Sequence, residues 1–463
     1  MTDTHVVVLA AGQGTRMKSA LPKVLHRVAG KPLVEHVLQT AEALSPSSIT
    51  LVVGHKAEQV RDALASHPRV QFALQEPQLG TAHALQQAEP GLKARQGTLV
   101  LLSGDVPLLR AETLQGLLAR HTTSGAAATV VTAEVERPFG YGRIVRENGA
   151  IAKIVEEKDA TPAQKQIHEI NSGIYAFDLG SVFDTLRSVA STNAQREFYL
   201  TDLVALYRGQ GRVVETVLVK NVSEIMGINS RVELAEANRV VRQSTNEALM
   251  TSGVTLVDPA NTYIGPDVTV GADTVIHPGV VLEGRTRIGA NCEIQAHVRI
   301  VDSEIADGAD INSFCLIVES KVGAGAHVGP FAHLRPGTVM GDGSKVGNFV
   351  ELKKTTLGAG AKVNHLSYVG DATVGAKANI GAGTITCNYD GVNKHKTVIE
   401  EGAFVGSDTQ LIAPVTIGRG AYVGTGTTVR EDVPAGALAV SAGKQRNIEG
   451  WVERKRAAAA AKK

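Results

Sequence analysis

Residues 264–300 read IGPDVTVGADTVIHPGVVLEGRTRIGANCEIQAHVRI, and an aliphatic side chain returns there at every sixth position. The positions of this first run are Ile264, Val270, Ile276, Leu282, Ile288, Ile294 and Ile300. Hexapeptide repeats form a parallel β-helix, with a short strand per repeat, three strands per coil and the aliphatic side chain pointing inward. The stretch therefore predicts a β-helix, and hexapeptide solenoids coil left-handedly, against the usual crossover preference.

The six-residue period continues almost to the end of the chain. It returns at Val322, Val328, Leu334, Met340, Val346 and Leu352, and after a five-residue step at Leu357, Val363 and Val369. The later positions are Val374, Ile380, Val405, Leu411, Ile417, Val423 and Val429. The segment 387–396, CNYDGVNKHK, breaks the period. We expect it to form a loop outside the β-helix that replaces one repeat.

The sequence before residue 250 has a different character. Apolar runs at His5–Ala10, Ile49–Gly54 and Thr98–Ser103 alternate with stretches of helical spacing such as Leu33–Leu44. This alternation predicts a Rossmann-like α/β domain with a parallel sheet, in which ligands bind at the carboxyl ends of the strands.

Two patterns in a chain of 463 residues favour two domains with separate cores. Asn229–Met250 combines apolar residues near helical spacing with abundant charge, and we expect a connecting helix there. The predicted division is an α/β nucleotide-binding domain at 1–228, a linker helix at 229–250, and a left-handed β-helix with a C-terminal tail at 251–463.

Bulk composition excludes several classes of partner. The formal net charge is +1, which gives no electrostatic reason to expect nucleic acid or an anionic membrane. We find no signal peptide and no apolar run long enough to span a bilayer. Cys292, Cys315 and Cys387 lack metal-ligand spacing and form an odd, sparse set, which is typical of a reducing compartment. We therefore expect a cytoplasmic protein that acts on small molecules.

A glycine-containing loop follows the first apolar run. It contains Gly12, Gly14 and Arg16, and Lys23 follows seven residues later. Glycines let backbone N–H groups approach a phosphate closely, and the two cations add positive charge. The loop lacks the Gly-Lys-Ser/Thr of a P-loop and the third glycine of a Rossmann fingerprint.

The β-helix register predicts two groups of side chains. Leu334 and Leu352 are three repeats apart, so Arg335 and Lys353, which directly follow them, stack on adjacent coils about 4.8 Å apart. Two cations at that spacing repel unless an anion lies between them, which favours a phosphate site over two solvated charges.

The second group forms a column. Four residues each lie two positions after an aliphatic one, so we expect them at one corner of successive coils: His365, Ala382, Ser407 and Thr425. The column predicts a groove for an extended cofactor, beginning at a histidine.

The motifs of the first half occur in a specific order: LAAGQGTRM and LPK, then ALQEPQLGTAHA, LLSGDVPLL, FGYGRI, IVEEKDA, EINSGIYAF and MGINSRVEL. Their order resembles that of sugar-nucleotide pyrophosphorylases. Together with the hexapeptide half, nearly the whole chain is similar to the bacterial bifunctional N-acetylglucosamine-1-phosphate uridyltransferase/glucosamine-1-phosphate acetyltransferases. Ser103 and Ala82 stand where relatives often carry Tyr and Gly.

The resemblance implies a uridylyl-transfer site in the first half, with UTP as co-substrate and one or two Mg²⁺ ions. Arg16 and Lys23 neutralise the reacting phosphates, and Asp105 and Asn229 bind the metal. The implied contacts to UTP and to the UDP-sugar are Leu9, Ala10, Ala11, Gly12, Lys23, Gln75, Gly80, Thr81, Ser103, Gly104, Asp105, Gly142, Glu156, Asn171 and Asn229. Within this set Gly142, Glu156 and Asn171 hold the sugar.

The resemblance also implies an acetyl-transfer site in the β-helix, with acetyl-CoA as co-substrate. His365 is the implied base, supported by Glu351 and Asn388, because an ammonium must lose a proton before it attacks a thioester. Glucosamine 1-phosphate is held by Arg335, Lys353, Tyr368 and Asn379. Acetyl-CoA is held by Ala382, Asn388, Tyr389, Ser407 and Thr425.

Some relatives place a cofactor-contacting Arg at the position of Ala442, so Lys444 or Arg446 is expected to take over its phosphate contacts here. We also expect a homotrimer, because three parallel prisms would bury faces and create clefts for the cofactor. Trp451, the only Trp, is expected to pack on a neighbouring subunit or the cofactor.

Two alternatives compete with this interpretation. In the first, the chain is a nucleotidyltransferase with a purely structural β-helix, which the placement of His365 near Asn388 and Tyr389 disfavours. In the second, the chain is a non-enzymatic scaffold, which the set Lys23, Asp105 and Asn229 disfavours.

Overall fold

The computed structural model describes residues 3–93, 95–441, 443, 445 and 447–461. The chain forms two compact units, Met1–Arg242 and Gln243–Lys463. Their boundary falls inside one long helix, Arg231–Thr251. Of the helices in the described ranges, none combines the length and the apolar content that crossing a membrane requires.

The first unit contains a nine-stranded mixed sheet. Seven strands follow one another across it in the order Val214–Val219, Ala128–Glu134, Glu169–Asp178, Thr98–Ser103, Thr4–Ala10, Ser48–Val53 and Val70–Leu74. Glu169–Asp178 is antiparallel to both of its neighbours, and the other pairs along this order are parallel. A hairpin of Arg143–Glu147 and Ala150–Val155 joins the sheet beside Glu169–Asp178. A separate small pair consists of Arg27–Val28 and Lys31–Pro32.

Helices cover both faces of this sheet. The α-helices of the unit before Arg231 are Leu33–Glu42, Ala57–Ala63, Thr81–Gln86, Glu89–Leu92, Ala111–Ser124, Pro162–Lys165, Leu179–Leu186 and Asp202–Gly209. Short 3₁₀ helices lie at Thr15–Met17, Lys23–Leu25 and Val222–Ile225. Val6 and Val8 are buried in one core, while Val7 between them is buried in the core on the opposite face. A strand covered on both faces is apolar at every position, which explains the continuous run at its start.

The second unit is the left-handed β-helix that the hexapeptide period predicts, and its strands form three parallel sheets. The first sheet contains Thr255–Leu256, Val275–Ile276, Glu293–Ile294, Asp310–Ile311, His327–Val328, Lys345–Asn348, Lys362–His365, Asn379–Ile380, Phe404–Val405, Tyr422–Val423 and Leu438–Ala439. The second contains Tyr263–Ile264, Val281–Glu283, Arg299–Val301, Leu316–Val318, His333–Leu334, Glu351–Lys353, Tyr368–Gly370, Ile385–Cys387, Gln410–Ile412 and Thr428–Val429. The third contains Thr269–Val270, Arg287–Ile288, Glu304–Ile305, Lys321–Val322, Val339–Met340, Thr356–Leu357, Ala372–Val374, Thr397–Ile399 and Val415–Ile417.

The periodic aliphatic side chains form one continuous core inside these three sheets. All the predicted positions are buried there except Val270, which is partly buried and packs against the same core. Our expectation that the loop after Cys387 replaces a repeat is wrong. The loop lies between Ile385–Cys387 of the second sheet and Thr397–Ile399 of the third, so each coil keeps three strands and one corner is lengthened.

The long helix contributes to each unit separately. In the first unit Ala237 packs with Val28, Leu33 and Ile228. In the second unit Asn246, only 1% exposed, donates hydrogen bonds to two backbone carbonyl oxygens at 2.8 and 3.0 Å. A final exposed helix, Trp451–Ala460, follows the β-helix.

Candidate active sites

The glycine loop of the first unit packs directly against Lys23. Gly14 has φ +62, and a Cβ added there would lie 2.7 Å from the Cβ of Lys23. A side chain at Gly14 is therefore excluded for two reasons: the backbone has a positive φ, and an added Cβ would clash with Lys23. Arg16, in the short helix Thr15–Met17, is exposed beside the loop.

Lys23 joins two residues that are distant in sequence. Its ammonium forms an ion pair with the Asp105 carboxylate, and both side chains are 16% exposed. The same nitrogen lies 3.1 Å from Oδ1 of Asn229, 206 residues away. Asn229 is held by its backbone N–H, which donates to Glu233 at 2.6 Å. The fold thus places a carboxylate oxygen and an amide oxygen around one positive charge.

This donor set is suited to a hard divalent cation. Mg²⁺ prefers oxygen ligands and is commonly held by one or two carboxylates together with substrate phosphates. Asp105 and Asn229 supply two such oxygens at the point where Lys23 already places positive charge. The described residues contain no group of three or more His, Cys, Asp or Glu that could hold a metal without substrate.

The residues expected to hold uridine lie around the same strand ends. Gln75, 4% exposed, donates to the backbone oxygen of Gly80 at 3.0 Å. The hydroxyl of Thr81 accepts from the Leu200 N–H at 3.0 Å. A Cβ on Gly80, which has φ +114, would lie 2.6 Å from the Phe198 carbonyl oxygen, so the loop can come this close only with glycine.

The strand ends of Thr4–Ala10 and Thr98–Ser103 approach each other closely. Leu9 pairs in register with Ser103. A Cβ on Gly104 would lie 3.1 Å from the Leu9 carbonyl oxygen and 3.3 Å from the Ala10 Cβ. Nearby, the Gln78 side-chain amide donates to the Ala11 carbonyl oxygen at 2.6 Å and fixes the start of the glycine loop.

The residues expected to hold the sugar form one cluster. The Asn171 N–H donates to the Gly142 carbonyl oxygen at 2.9 Å, and a Cβ on Gly142 would lie 3.4 Å from Oε1 of Glu156. Thr201 donates to the same Glu156 oxygen at 3.2 Å. Burial, together with the charges of Asp159 and Asp202, raises the pKa of Glu156 above its ordinary range.

In the β-helix, the column at the corner after the first sheet lies where the repeat predicts. Val363, Ile380, Val405 and Val423 are register partners on successive coils. Backbone hydrogen bonds then run along the corner, and His365, Ala382 and Ser407 each accept from an N–H of the next coil at 2.7–3.2 Å. His365, Ser407 and Thr425 are exposed along this line.

The environment of His365 differs from the one that the resemblance implies. Its Nδ1 forms a hydrogen bond with Oδ1 of Asn348, its register partner on the preceding coil. The amide oxygen only accepts, so in the neutral imidazole this contact requires the proton on Nδ1 and leaves the lone pair on Nε2. Glu351 instead accepts from Arg335 at 2.7 Å, and the Asn388 amide donates to Asp371. The two expected supports of His365 therefore contact other residues.

The stacked cations of the second sheet each have a carboxylate partner. Arg335 pairs with Glu351, and Lys353 Nζ lies 3.8 Å from Oδ2 of Asp371. Lys394, from the loop after Cys387, adds a third cation, and its closeness to the Lys353 ammonium lowers its pKa. The repulsion between Arg335 and Lys353 is thus relieved by protein carboxylates, but three cations share two of them.

Three other residues that the resemblance assigns to the acetyl site lie in different parts of the β-helix. Tyr368 lies over Gly370, where a Cβ would come 2.3 Å from the tyrosine oxygen. Tyr389, in the loop, is 60% exposed and donates to the Gly391 carbonyl oxygen at 2.6 Å. Asn379 lies on the first sheet, between Lys362 and Phe404 in register, and not on the second sheet with Arg335 and Lys353.

Three expected positions, Ala442, Lys444 and Arg446, lie outside the described residues. Three residues near the acetyl site were not predicted from sequence, namely Asn348, Asp371 and Lys394. The register contained a signal for the first two, since each lies two residues after a periodic aliphatic position, Val346 and Val369. Lys394 lies in the loop that breaks the period, so the repeat could not predict its position.

Comparison with known proteins matches both units. Residues 6–170 match the MobA-like NTP transferase domain, residues 260–347 the GMPPB C-terminal domain, and residues 396–431 six bacterial transferase hexapeptide repeats. A Pelobacter propionicus protein named Bifunctional protein GlmU is 50% identical over 452 residues, covering 97% of this chain and 98% of that protein. Proteins of the same name from Syntrophotalea carbinolica and Geobacillus thermodenitrificans are 54% and 49% identical, with 97% and 98% of this chain and 97% and 99% of those proteins covered.

Proposed function

The chain belongs to the family of the bifunctional protein GlmU, and on that premise we propose which residues carry out its two reactions. It is a glucosamine-1-phosphate acetyltransferase and a UDP-N-acetylglucosamine diphosphorylase. Acetyl transfer from acetyl-CoA to glucosamine 1-phosphate comes first. Uridylyl transfer from UTP to N-acetylglucosamine 1-phosphate follows and releases pyrophosphate.

The uridylyl site lies around Lys23 and Asp105 in the first unit. An oxygen of the sugar 1-phosphate attacks the α-phosphorus of UTP, and the bond to the bridging oxygen of pyrophosphate breaks. Arg16 and Lys23 offset the negative charge of the two reacting anions. Leu9–Gly12, Gln75, Gly80, Thr81, Ser103 and Gly104 hold the nucleotide.

Asp105 and Asn229 are the residues that would hold Mg²⁺ in this site. The support is their convergence on one point of positive charge and the oxygen chemistry of both side chains. When bound, the ion would screen the phosphates and stabilise the charge that develops during transfer. Glu233 keeps Asn229 in place through its backbone N–H.

The acetyl site lies at the corner that begins with His365. Nε2 of His365 takes a proton from the ammonium of glucosamine 1-phosphate as the nitrogen attacks the thioester carbonyl. The new C–N bond forms, the C–S bond breaks, and CoA leaves as the thiol after its sulfur takes the second proton from the attacking nitrogen. Arg335, Lys353, Tyr368 and Asn379 hold the sugar phosphate, and Lys394 adds to their positive charge. Ala382, Asn388, Tyr389, Ser407 and Thr425 line the path of acetyl-CoA.

The observation that carries this assignment is that side chains distant in sequence converge in each half of the chain, at Lys23–Asp105–Asn229 and at Asn348–His365. The test is a product assay with glucosamine 1-phosphate, acetyl-CoA, UTP and Mg²⁺, omitting one component at a time. CoA release without UTP, and UDP-sugar formation only with all four components, are expected. A β-helix that is purely structural would give no CoA release.

We also propose a homotrimer formed through the β-helix. One feature supports contact between copies: His297, Phe314, Phe331 and Phe349 stack at 5.0–5.2 Å along the corner after the first sheet, where Leu366, next to His365, takes the following position. The three phenylalanines are 47–54% exposed and have φ between +56 and +63. Positive φ is costly for bulky residues. A partner that buries the rings would offset the cost of this conformation.

The trimer is tested by light scattering on the full chain and on Phe331→Ser. We expect a trimer for the wild type and a smaller species for the variant, with reduced acetyl transfer and normal uridylyl transfer. Val339→Ser, an exposed apolar position on the third sheet, is the matched control. A wild-type monomer that acetylates at full rate would contradict the proposal.

We finally propose a cytoplasmic location. Cys292, Cys315 and Cys387 are free, and burial raises the pKa of the Cys315 thiol to about 11. Free thiols are typical of reducing compartments. Fractionation of cells that produce the tagged protein tests this.

A further inference from the structure

Asn171 lies at a β-bulge in the strand Glu169–Asp178. The register with the neighbouring strand shifts between Asn171 and Tyr175, and Gly173 within the bulge has φ +78. Bulges re-aim side chains and are frequent beside active sites. Here the bulge brings the Tyr175 hydroxyl back to the side chain of Asn171, four residues earlier.

The contacts at the bulge determine which end of the Asn171 amide faces the strand. Oδ1 accepts from the Gly173 N–H at 3.0 Å and from the Tyr175 hydroxyl at 2.9 Å. A backbone N–H can only donate, so the amide oxygen must point toward it. The two N–H donors of Nδ2 therefore point away from the bulge.

Tyr175 is held rigidly enough to maintain this orientation. Its side chain is 1% exposed, and its ring stacks on Phe177 at 5.3 Å with 13° between the planes. Burial raises the pKa of the Tyr175 phenol far above its ordinary value, so the hydroxyl keeps its proton and donates. The Asn171 backbone is fixed as well, by its N–H bond to Gly142.

The other side of the sugar cluster has the opposite polarity. Glu156 presents a carboxylate, one oxygen of which accepts from Thr201. Gly142 lies between Glu156 and Asn171 and leaves the space above the carboxylate open. An acetamido group offers a carbonyl oxygen, which only accepts, whereas an ammonium offers only donors.

We propose that Tyr175 is a positioning residue that turns the amide donors of Asn171 toward the sugar and thereby selects an acetylated over a free amino group. The inference rests on the proposed sugar site of Gly142, Glu156 and Asn171. The carbonyl oxygen of the acetamido group accepts from Nδ2 of Asn171. The ammonium of glucosamine 1-phosphate meets the same N–H groups with no acceptor to offer, so it is rejected.

The sharpest test is Asn171→Asp, assayed in the full chain with UTP, Mg²⁺ and either sugar 1-phosphate, without acetyl-CoA. The new side chain keeps an oxygen for Gly173 and Tyr175 but replaces the outward donors by an acceptor. We expect the preference for N-acetylglucosamine 1-phosphate, as a ratio of kcat/KM values, to fall by about 100-fold or more. Thermal melting and UTP binding by calorimetry report on folding.

Tyr175→Phe keeps the ring stack and removes only the hydroxyl. We expect KM for N-acetylglucosamine 1-phosphate to rise about 2- to 10-fold with kcat unchanged, the effect of one neutral hydrogen bond. Tyr207→Phe removes a hydroxyl from another fully buried tyrosine of the same unit and serves as control. It is expected to leave KM and the sugar preference unchanged.

An unchanged sugar preference in Asn171→Asp, or an equal loss with both sugars, overturns the proposal. An unchanged KM in Tyr175→Phe overturns the role of Tyr175. Failure of the proposed function itself looks different, because the wild type would then form no UDP-sugar from either substrate.

Discussion

The two proposed active sites of this chain are built in opposite ways. In the α/β unit, Lys23 meets a carboxylate 82 residues away and an amide 206 residues away, and the ion pair is largely buried. In the β-helix, His365 meets Asn348, 17 residues earlier on the adjacent coil, and stays exposed. In the first site, the fold of the α/β unit itself surrounds the charged side chains. In the second, the side chains lie exposed along successive coils, so a neighbouring surface can complete the site.

The two sites also differ in how many cations and oxygen ligands each contains. Around Lys23, oxygens gather about one cation, which leaves ligands for a further positive ion. Around Lys353, three cations share two carboxylates, which leaves positive charge for an anion. The second site is thus short of the negative charge that a sugar phosphate brings, whereas the charges of Lys23 and Asp105 balance and the first site offers a divalent cation oxygen ligands.

The largest expected effect comes from Asp105→Ala, which removes the carboxylate at the centre of the first site. Uridylyl transfer is expected to fall by about 10³-fold or more, because electrostatic stabilisation of phosphoryl transfer is lost. CoA release from the second site continues at the wild-type rate. Steady-state assays of both products check this. Asp62→Ala, an exposed carboxylate of the same unit, is the control, and wild-type UDP-sugar formation by Asp105→Ala would refute the assignment.

The second-largest expected effect is a loss of acetyl transfer at the β-helix site. His365→Ala removes the general base and is expected to slow CoA release by about 10²–10⁴-fold. The full chain then fails to make UDP-sugar from glucosamine 1-phosphate but works when given N-acetylglucosamine 1-phosphate. His327→Ala, another exposed histidine of the first sheet, is expected to change neither rate. Loss of both activities in a folded His365→Ala variant would contradict two separate sites.

The two regions also differ in how far the sequence could predict them. In the β-helix each repeat contacts only its neighbours, so a local period determines register, and the column from His365 to Thr425 follows by counting. In the α/β unit the apolar runs located strands such as Thr98–Ser103, but the antiparallel insertion of Glu169–Asp178 depends on pairing between distant segments. No local pattern carries that information.

Within the sites, the contacts differ from the implied ones where charged groups compete for a partner. The resemblance assigned Glu351 and Asn388 to the support of His365, yet a carboxylate pairs more strongly with the nearby guanidinium of Arg335, and Asn388 donates to the charged Asp371. Lys394 could not be predicted, because its loop leaves the repeat. Tyr175 was not predicted as a site residue, because a β-bulge brings it to Asn171 and a bulge produces no periodic pattern in the sequence.

Asn348→Ala is expected to have a smaller effect on the second site. Without the amide, His365 loses the acceptor that orients its ring, and we expect acetyl transfer to slow about 10-fold, an order of magnitude typical of lost positioning. Asn348→Asp keeps an acceptor and is expected to restore most of the rate. Asn312→Ala, directly after the strand Asp310–Ile311 two coils earlier, is the control. A rate for Asn348→Asp as low as that of Asn348→Ala would count against an orienting role.

A still smaller effect concerns pH at the first site. The pKa of Glu156 is raised by burial, so this carboxylate takes up a proton at a higher pH than an ordinary glutamate. We expect KM for N-acetylglucosamine 1-phosphate to rise as pH falls through this raised value, because the protonated group is a poorer acceptor. Glu156→Gln is expected to flatten that dependence while CoA release keeps its own profile. An identical pH profile of KM in both proteins would rule Glu156 out as its source.

The smallest expected effect is that of separating the two units at their boundary. A fragment of residues 1–242 is expected to keep the uridylyl kinetics of the full chain, and a fragment of residues 243–463 to keep acetyl transfer, since each then retains its own core. A fragment ending at residue 230 is the informative contrast. It loses Ala237, which is 2% exposed, and Glu233, which holds Asn229. We therefore expect the shorter fragment to melt at a lower temperature and to need more Mg²⁺ for half-maximal rate. Equal melting and Mg²⁺ dependence of the two fragments would show that the helix after residue 230 only connects the units.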